Sequence, residues 1–97
     1  MQTKKIVLDI SGCRYYDQLH DIMKQAFGFP EHYGKNLDAL WDCLWEIFVK
    51  KQPWEISVCG AERMNAELRE YMMQVLDVFR QAEKEFPYVK IFLTNKE

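Results

Sequence analysis

Apolar residues recur along the chain with two different periods, and each change of period marks a new element. Three short runs rich in β-branched and aliphatic residues predict strands: KKIVLDI at 4–10, WEISVC at 54–59 and YVKIFLT at 88–94. Between these runs the apolar positions follow the spacing of three and four residues that places them on one face of a helix. Strands that alternate with helices are typical of an α/β fold.

The first helix is predicted at 18–27, between two loop signals. Asp17 can cap its first turn, because a carboxylate oxygen at that position accepts a backbone N–H. Gly28 can end the helix in a left-handed conformation, and Pro30 prevents its continuation. The turn that follows contains Gly34 and leads into the next helix.

The second helix is predicted from 37 to about 49, with Asn36 as its cap. Residues 61–86 are also helical in pattern, in two pieces with a break near 65–68, and Pro87 stops them. Helical connections between strands favour parallel pairing with right-handed crossovers. The order β-α-α-β-α-α-β therefore predicts a small three-stranded parallel sheet flanked by helices.

Length and composition restrict the class of protein. The chain has 97 residues and 48% hydrophobic content, so we expect a single domain over 1–97 with a core that needs no metal or disulfide. The formal charge of −2 argues against a nucleic-acid binder, which usually carries a basic stripe. No apolar run approaches the ~20 residues that span a bilayer, and the N-terminus lacks the pattern of a signal peptide.

The cysteines point to a reducing compartment. Cys13, Cys43 and Cys59 are odd in number, widely spaced and part of no CxxC or Cys/His cluster. We therefore expect free thiols, a cytoplasmic protein and no cofactor or metal.

The second helix carries the most unusual arrangement of polar residues. At about 100° per residue, its apolar positions fall in one sector that must face the core. These positions are Leu37, Leu40, Leu44, Ile47 and Phe48. Asp38 and Asp42 lie on the other side, with Trp41 and Trp45 at the boundary. Like charges four residues apart cost a helix roughly 0.2–0.5 kcal/mol, and only Asp38 is close enough to the N-terminus to gain from the helix dipole.

Each of these residues alone fits a core rim or a solvated helix face, but together they indicate a docking surface. Tryptophan is common at interface hot spots, and an acidic patch steers a basic partner. Acid–base catalysis by His32 with Glu31 or Asp38 is a weaker interpretation, because catalytic groups normally occupy concave pockets. His32, Asp38 and Asp42 are too few for a metal site and match no ligand motif. His20 lies among apolar positions and is expected to be structural.

The segment PEHYGKNLDALWDCLW at 30–45 resembles the barstar family of bacterial ribonuclease inhibitors. The likeness extends more loosely over DQLHDIMKQAFGFP at 17–30 and VLDVFRQAEKE at 75–85, and it covers nearly all of residues 4–94. The family's fold, a three-stranded parallel sheet flanked by helices, agrees with the fold predicted from the periodicity.

The resemblance implies a monomeric inhibitor, not an enzyme, that plugs the active site of a basic ribonuclease with carboxylates in place of RNA phosphates. Asp42 would be the principal phosphate mimic, with Asp38 beside it, and no nucleic acid would be bound directly. The partner-binding residues that the resemblance implies are His32, Tyr33, Gly34, Asn36, Leu37, Asp38, Trp41, Asp42, Trp45, Val78 and Gln81.

The sequence departs from the family at the rim of this surface. His32 replaces an aromatic residue, Gln81 replaces an acidic contact, and Ile47 replaces a tryptophan, with Trp45 nearby. The variable position after Gly34 is Lys35. An immunity protein (antitoxin) against a ribonuclease toxin and a regulatory module for another basic partner are therefore alternatives. A carboxylate-based hydrolase is a third.

Overall fold

The computed structural model describes residues 2–94, which form a parallel sheet and the helices packed on it. The strands are β1 (Lys4–Asp9), β2 (Trp54–Cys59) and β3 (Val89–Thr94). Their order is β1-β2-β3, both pairings are parallel, and β2 is the central strand. The predicted three-stranded parallel sheet is confirmed. The two ends of the predicted domain, residues 1 and 97, lie outside the described residues.

The helical segments between the strands follow the predicted order closely. Within residues 2–94 they are α1 (Tyr16–Phe27), α2 (Leu37–Phe48), a single 3-10 turn (Ala61–Arg63) and α3 (Ala66–Glu85). The 3-10 turn occupies the place of the first helical piece predicted after Gly60. Asn36 and Asn65 each accept a backbone N–H at 2.8 Å, from Ala39 and Leu68, and these caps fix where α2 and α3 begin.

The start of α1 differs from the prediction. The helix begins at Tyr16 after the cap residue Tyr15, so Asp17 lies in the first turn and is not the cap. The side-chain oxygen of Gln18 accepts the backbone N–H groups of Arg14 and Tyr15 at 2.7 and 3.1 Å. A side chain from inside the helix thus satisfies donors of the preceding loop, which is one half of a capping box. Asp17 still gains from the positive end of the helix dipole.

The helices cover only one face of the sheet. Alternate residues along the strands point to that face, and the buried ones are Leu8, Trp54, Ile56, Val58, Val89 and Ile91. On the opposite face Val7 and Phe92 are 68% and 46% exposed. Parallel sheets are usually covered on both sides, so this sheet has the inside-outside alternation more often found in antiparallel ones.

The apolar sector predicted for α2 faces the core, and α3 also packs an apolar face against it. In α2, Leu40, Leu44 and Phe48 are buried, while Leu37 and Ile47 are half-buried at the edges of the sector. The buried residues of α3 are Leu68, Met72, Val75, Phe79 and Ala82. This packing holds α2 with its polar side outward.

Candidate partner-binding site

The outward side of α2 carries Asp38, Trp41, Asp42 and Trp45, which we call the acidic stripe. Trp41 is 36% exposed and Trp45 is half-buried. Their rings stack with centroids 3.8 Å apart and planes 15° apart. Trp45 also meets Phe86 edge to face at 5.3 Å, and Phe86 belongs to the core. The core therefore holds Trp45, and Trp45 in turn supports Trp41 at the surface.

The two carboxylates of the acidic stripe face solvent. Asp38 and Asp42 are exposed, and within residues 2–94 neither forms a hydrogen bond or an ion pair. Four residues of helix separate them by about 6 Å along the axis. The stripe thus presents two negative charges that are held by a rigid backbone and form no ion pair with any of residues 2–94.

A loop at residues 28–36, which we call the interface loop, leads into the acidic stripe. Gly28 ends α1 at a φ of 74°, as predicted, and its N–H bonds to the Lys24 carbonyl at 2.9 Å. The Tyr33 N–H donates to the Pro30 carbonyl at 3.0 Å, which closes a turn in the middle of the loop. Asn36 then caps α2, so the loop and the helix are continuous.

Ion pairs attach the interface loop to α1. The Lys35 ammonium lies 2.9 Å from the Asp21 carboxylate, and this hydrogen bond raises the pKa of Lys35. Lys35 has a φ of 51°, a conformation that residues other than glycine rarely adopt. The Lys24 ammonium lies 3.6 Å from the Glu31 carboxylate. Both pairs are partly exposed and contribute little on their own.

Most of the predicted partner-binding residues lie at the surface. Those exposed are His32, Gly34, Asn36, Asp38, Trp41, Asp42 and Gln81, and those half-buried are Leu37, Trp45 and Val78. Val78 and Gln81 are on α3, which packs against α2. Tyr33 is different, because only 6% of its surface is exposed and its ring packs on Phe29 at 4.8 Å. Its side chain offers little area to a partner.

The sequence did not reveal the hydrogen-bond partners of His20. This residue was expected to be structural, and it is fully buried on α1. Its ring nitrogens lie 2.6 Å from the hydroxyls of Tyr33 and Tyr71, so it joins the interface loop to α3. Burial is the main cause that lowers the pKa of His20, and Asp17 opposes that shift. Tyr71 is 51 residues away in the chain, and no local pattern connects it to His20.

A reactive thiol, a metal site or a membrane-spanning helix would each point to another function. The cysteines are free thiols, and burial is the main cause that raises the pKa values of Cys13 and Cys43. Among residues 2–94, no three His, Cys, Asp or Glu side chains are grouped in a way that could hold a metal ion. In the same part of the chain, no helix has both the length and the hydrophobicity needed to cross a membrane.

Comparison with known proteins agrees with the resemblance found in the sequence. Residues 3–94 match the Barstar family, described as barstar (barnase inhibitor). A protein of Bacillus subtilis (strain 168) named "Putative ribonuclease inhibitor YrdF" is 37% identical over 84 residues, which are 84% of this chain and 88% of that relative. The family match includes the interface loop, the acidic stripe and α3. The chain belongs to the barstar family.

Proposed function

We propose that the protein inhibits a ribonuclease by placing the acidic stripe and the interface loop in the enzyme's active site. The observation that carries this proposal is the pair of exposed carboxylates, Asp38 and Asp42, which have no ion-pair or hydrogen-bond partner among residues 2–94 and lie beside the stacked Trp41. In a member of the barstar family, this surface is suited to replace RNA phosphates. The protein would act by binding and would catalyse no reaction.

The charges explain why a basic ribonuclease is the preferred partner. An enzyme that binds RNA phosphates does so with Arg, Lys and His side chains, and the same groups form strong hydrogen bonds with carboxylates. Asp38 and Asp42 are solvated before binding, so they lose water when they enter the active site. Only a site already rich in cations compensates for that loss. Steering between opposite charges would also accelerate association.

The tryptophans add contact area beside the charges. A ring such as Trp41, partly exposed and supported from behind by Trp45, loses little conformational freedom on binding. Such rigid aromatic side chains are typical of interface hot spots. We propose that Trp41 packs on the rim of the enzyme's active site while Asp42 enters it.

Gly34 would bring the loop backbone close to the partner. A Cβ atom at this position would lie 3.3 Å from Asn36 Nδ2 and 3.4 Å from Ala39 Cβ, which is tighter than most such contacts. A larger residue would therefore disturb the cap of α2 as well as cover the backbone. These internal contacts already favour glycine, and because Gly34 is exposed we propose that its backbone also touches the partner, with Asn36 and Leu37 beside it.

The rim of the surface would select the partner. His32 on the loop and Gln81 on α3 are exposed, at positions where the family resemblance implies an aromatic and an acidic residue. We propose a monomeric, cytoplasmic inhibitor that protects its bacterial host from one particular ribonuclease, as an antitoxin or immunity protein does. Such a partner would differ from barnase at the residues that meet His32 and Gln81.

Affinity capture from the native host tests the function. The bait is the purified chain, and captured material is assayed for cleavage of a fluorescent RNA before and after excess chain is added. The double variant Asp38→Ala/Asp42→Ala should capture no nuclease, whereas Glu70→Ala should capture as much as the native chain. Glu70 is an exposed carboxylate on α3 outside the predicted surface and serves as a matched control. Capture of no ribonuclease, or equal capture by the double variant, would refute the proposal.

A further inference from the structure

Three elements of the fold meet at one buried histidine. His20 of α1 has no exposed surface. Its Nδ1 lies 2.6 Å from the hydroxyl of Tyr33 in the interface loop, and its Nε2 lies 2.6 Å from the hydroxyl of Tyr71 in α3. Tyr71 is in turn stacked on Tyr16 at 4.4 Å, which fixes its ring against the start of α1.

We infer that Tyr71, His20 and Tyr33 form a clamp, centred on the buried His20, that holds the interface loop in the conformation its partner binds. The inference rests on the proposed function, and it assigns His20 and Tyr71 as positioning residues that act through Tyr33. Neither lies on the surface offered to a ribonuclease. They would set the affinity without touching the enzyme.

The clamp is complete only with all three side chains. A neutral imidazole has one N–H donor and one bare nitrogen acceptor, and each tyrosine hydroxyl can donate or accept. One tyrosine therefore accepts from His20 while the other donates to it. Removal of either hydroxyl leaves a buried ring nitrogen without a partner, which is more harmful than the loss of an exposed hydrogen bond.

The clamp includes a buried side-chain hydrogen bond between the interface loop and α1. Other side-chain links are the stack of Phe29 on Phe27 at 5.4 Å and the ion pairs Lys35–Asp21 and Lys24–Glu31, and the Glu31 side chain is fully exposed. Water and salt weaken such pairs, whereas they do not reach a fully buried bond. Tyr33 is also next to Gly34 and three residues from the cap Asn36. A shift of its ring would move the loop backbone and the first turn of α2 together.

The charge of His20 should control the clamp. The ionisable groups that face it are Asp17 and Asp21 from its own helix, Lys35 and Tyr33 from the loop, and Tyr71 from α3. A second proton on the ring would remove the acceptor nitrogen and bury a positive charge. The clamp should therefore be closed at neutral pH and should loosen as the pH falls below the ordinary histidine range.

Amide exchange in the isolated protein provides the test. The N–H groups of Tyr33 and Ala39 are hydrogen bonded, to the Pro30 carbonyl and to the Asn36 side chain, so their exchange reports opening of the loop and of the cap. In Tyr71→Phe we expect exchange at these two amides to be roughly five- to tenfold faster at pH 7. Inhibition of the captured nuclease should weaken by a similar factor.

Two further variants separate positioning from a merely structural role. Ile56→Val destabilises the core at a fully buried site of the central strand and serves as the control, which should leave loop exchange and inhibition unchanged while the protein is folded. In the native chain, loop exchange corrected for intrinsic pH effects should accelerate below about pH 6.5, the ordinary histidine pKa. This acceleration should be absent in His20→Gln.

The outcomes distinguish the inference from the proposed function. Faster loop exchange with weaker inhibition in Tyr71→Phe supports the clamp. Loop exchange that matches Ile56→Val overturns it, even if the native chain is a potent inhibitor. If the native chain inhibits no ribonuclease, the proposed function fails, and the exchange rates still decide whether the clamp orders the loop.

Discussion

The acidic stripe and the interface loop adjoin each other, yet different forces hold them in place. The stripe lies on α2, whose backbone hydrogen bonds and buried residues Leu40, Leu44 and Phe48 keep it rigid. The loop contains no helix or strand, and it is held by a few turn hydrogen bonds, two partly exposed ion pairs, the stack of Phe29 on Phe27 and the buried contact of Tyr33 with His20. One half of the proposed interface is therefore ordered by secondary structure, and the other half by a few side chains.

This difference predicts how each half responds to change. Side chains of the stripe that point outward are not needed for folding, so their substitution should change binding and leave stability nearly untouched. Side chains that support the loop point inward, so their substitution should change both. Substitutions in the two halves should therefore separate binding from stability.

Asp42→Ala should give the clearest separation of binding from stability. The carboxylate would be buried against cations in the complex, and its removal should cost ~2–5 kcal/mol of binding, a range to which the barnase–barstar pair itself contributed. This corresponds to roughly 30- to 4,000-fold weaker inhibition. The free energy of unfolding should stay the same or rise by a few tenths of a kcal/mol, because repulsion from Asp38 is relieved.

The measurements are denaturant unfolding and inhibition of the captured nuclease over a series of salt concentrations. In Asp42→Ala the association rate should be lower and should depend less on salt than in the native chain. Glu70→Ala removes the same charge elsewhere and should change inhibition little. Native inhibition and salt dependence in Asp42→Ala would mean that the acidic stripe is only a solvated helix face.

Substitution of one stacked tryptophan should mainly weaken binding, and substitution of the other should mainly lower stability. Trp41→Ala removes exposed contact area and should weaken binding by about 2 kcal/mol, with a loss of stability below about 1 kcal/mol. Trp45→Ala removes a half-buried ring from Phe86 and should lower the free energy of unfolding by about 2 kcal/mol. Thermal unfolding measures the loss of stability in both variants, and inhibition assays measure the loss of binding. Equal losses of stability would show that the stack behaves as one unit.

Stability should decrease in mild acid because of His20. The pKa of His20 in the folded protein lies below its ordinary value of 6.5. Between those two pH values the unfolded chain takes up a proton that the folded protein does not, so unfolding becomes easier as the pH falls through 6.5. The slope cannot exceed about 1.4 kcal/mol per pH unit for one proton.

Urea unfolding from pH 8 to 5 measures this slope. His20→Gln should have a lower free energy of unfolding than the native chain at pH 7. Above the pH range where carboxylates titrate, its free energy of unfolding should no longer fall as the pH falls. His32 is the other histidine of the chain and is exposed, so His32→Gln serves as the matched control. A slope that persists in His20→Gln would assign the acid sensitivity to other groups.

The smallest effect is expected at the rim. Gln81 is exposed on α3 and carries no charge, so Gln81→Ala should change binding to the native partner by less than about 0.5 kcal/mol. Gln81→Glu should improve binding to a ribonuclease with the basic rim typical of the family, by up to about 1 kcal/mol. Inhibition measured over a series of concentrations of each variant tests both expectations. A loss in Gln81→Ala as large as that in Asp42→Ala would contradict the assignment of roles to α3.

The sequence was sufficient to predict the elements, because periodicity and caps are local properties. The cap Asn36 and the break near Asn65 are confirmed, and so is the apolar sector of α2. The prediction of Asp17 as the cap of α1 was wrong, because Gln18 serves the preceding loop from within the helix. The strand order was not predicted at all, since it depends on contacts between distant segments.

Some features of the candidate site could likewise be predicted from the sequence, and others could not. The angular positions of Asp38, Asp42 and Trp41 on one helix could be calculated from their spacing, and the structure places them where that spacing requires. The burial of Tyr33 could not be calculated, because it depends on where α1 and α3 lie relative to the loop. The partnership of His20 with Tyr71 across 51 residues is likewise a product of tertiary structure.

The three tryptophans give this protein two separate optical reporters. Indole rings as close as those of Trp41 and Trp45 couple their excited states, so the pair should produce a distinct near-ultraviolet circular dichroism band. A cation brought over the exposed ring would alter that band and the emission of the pair. Trp54 is only 5% exposed, next to Phe27 and Phe48, and its emission should change only when the core opens. Docking and unfolding can therefore be followed in one unlabelled sample, each by its own chromophore.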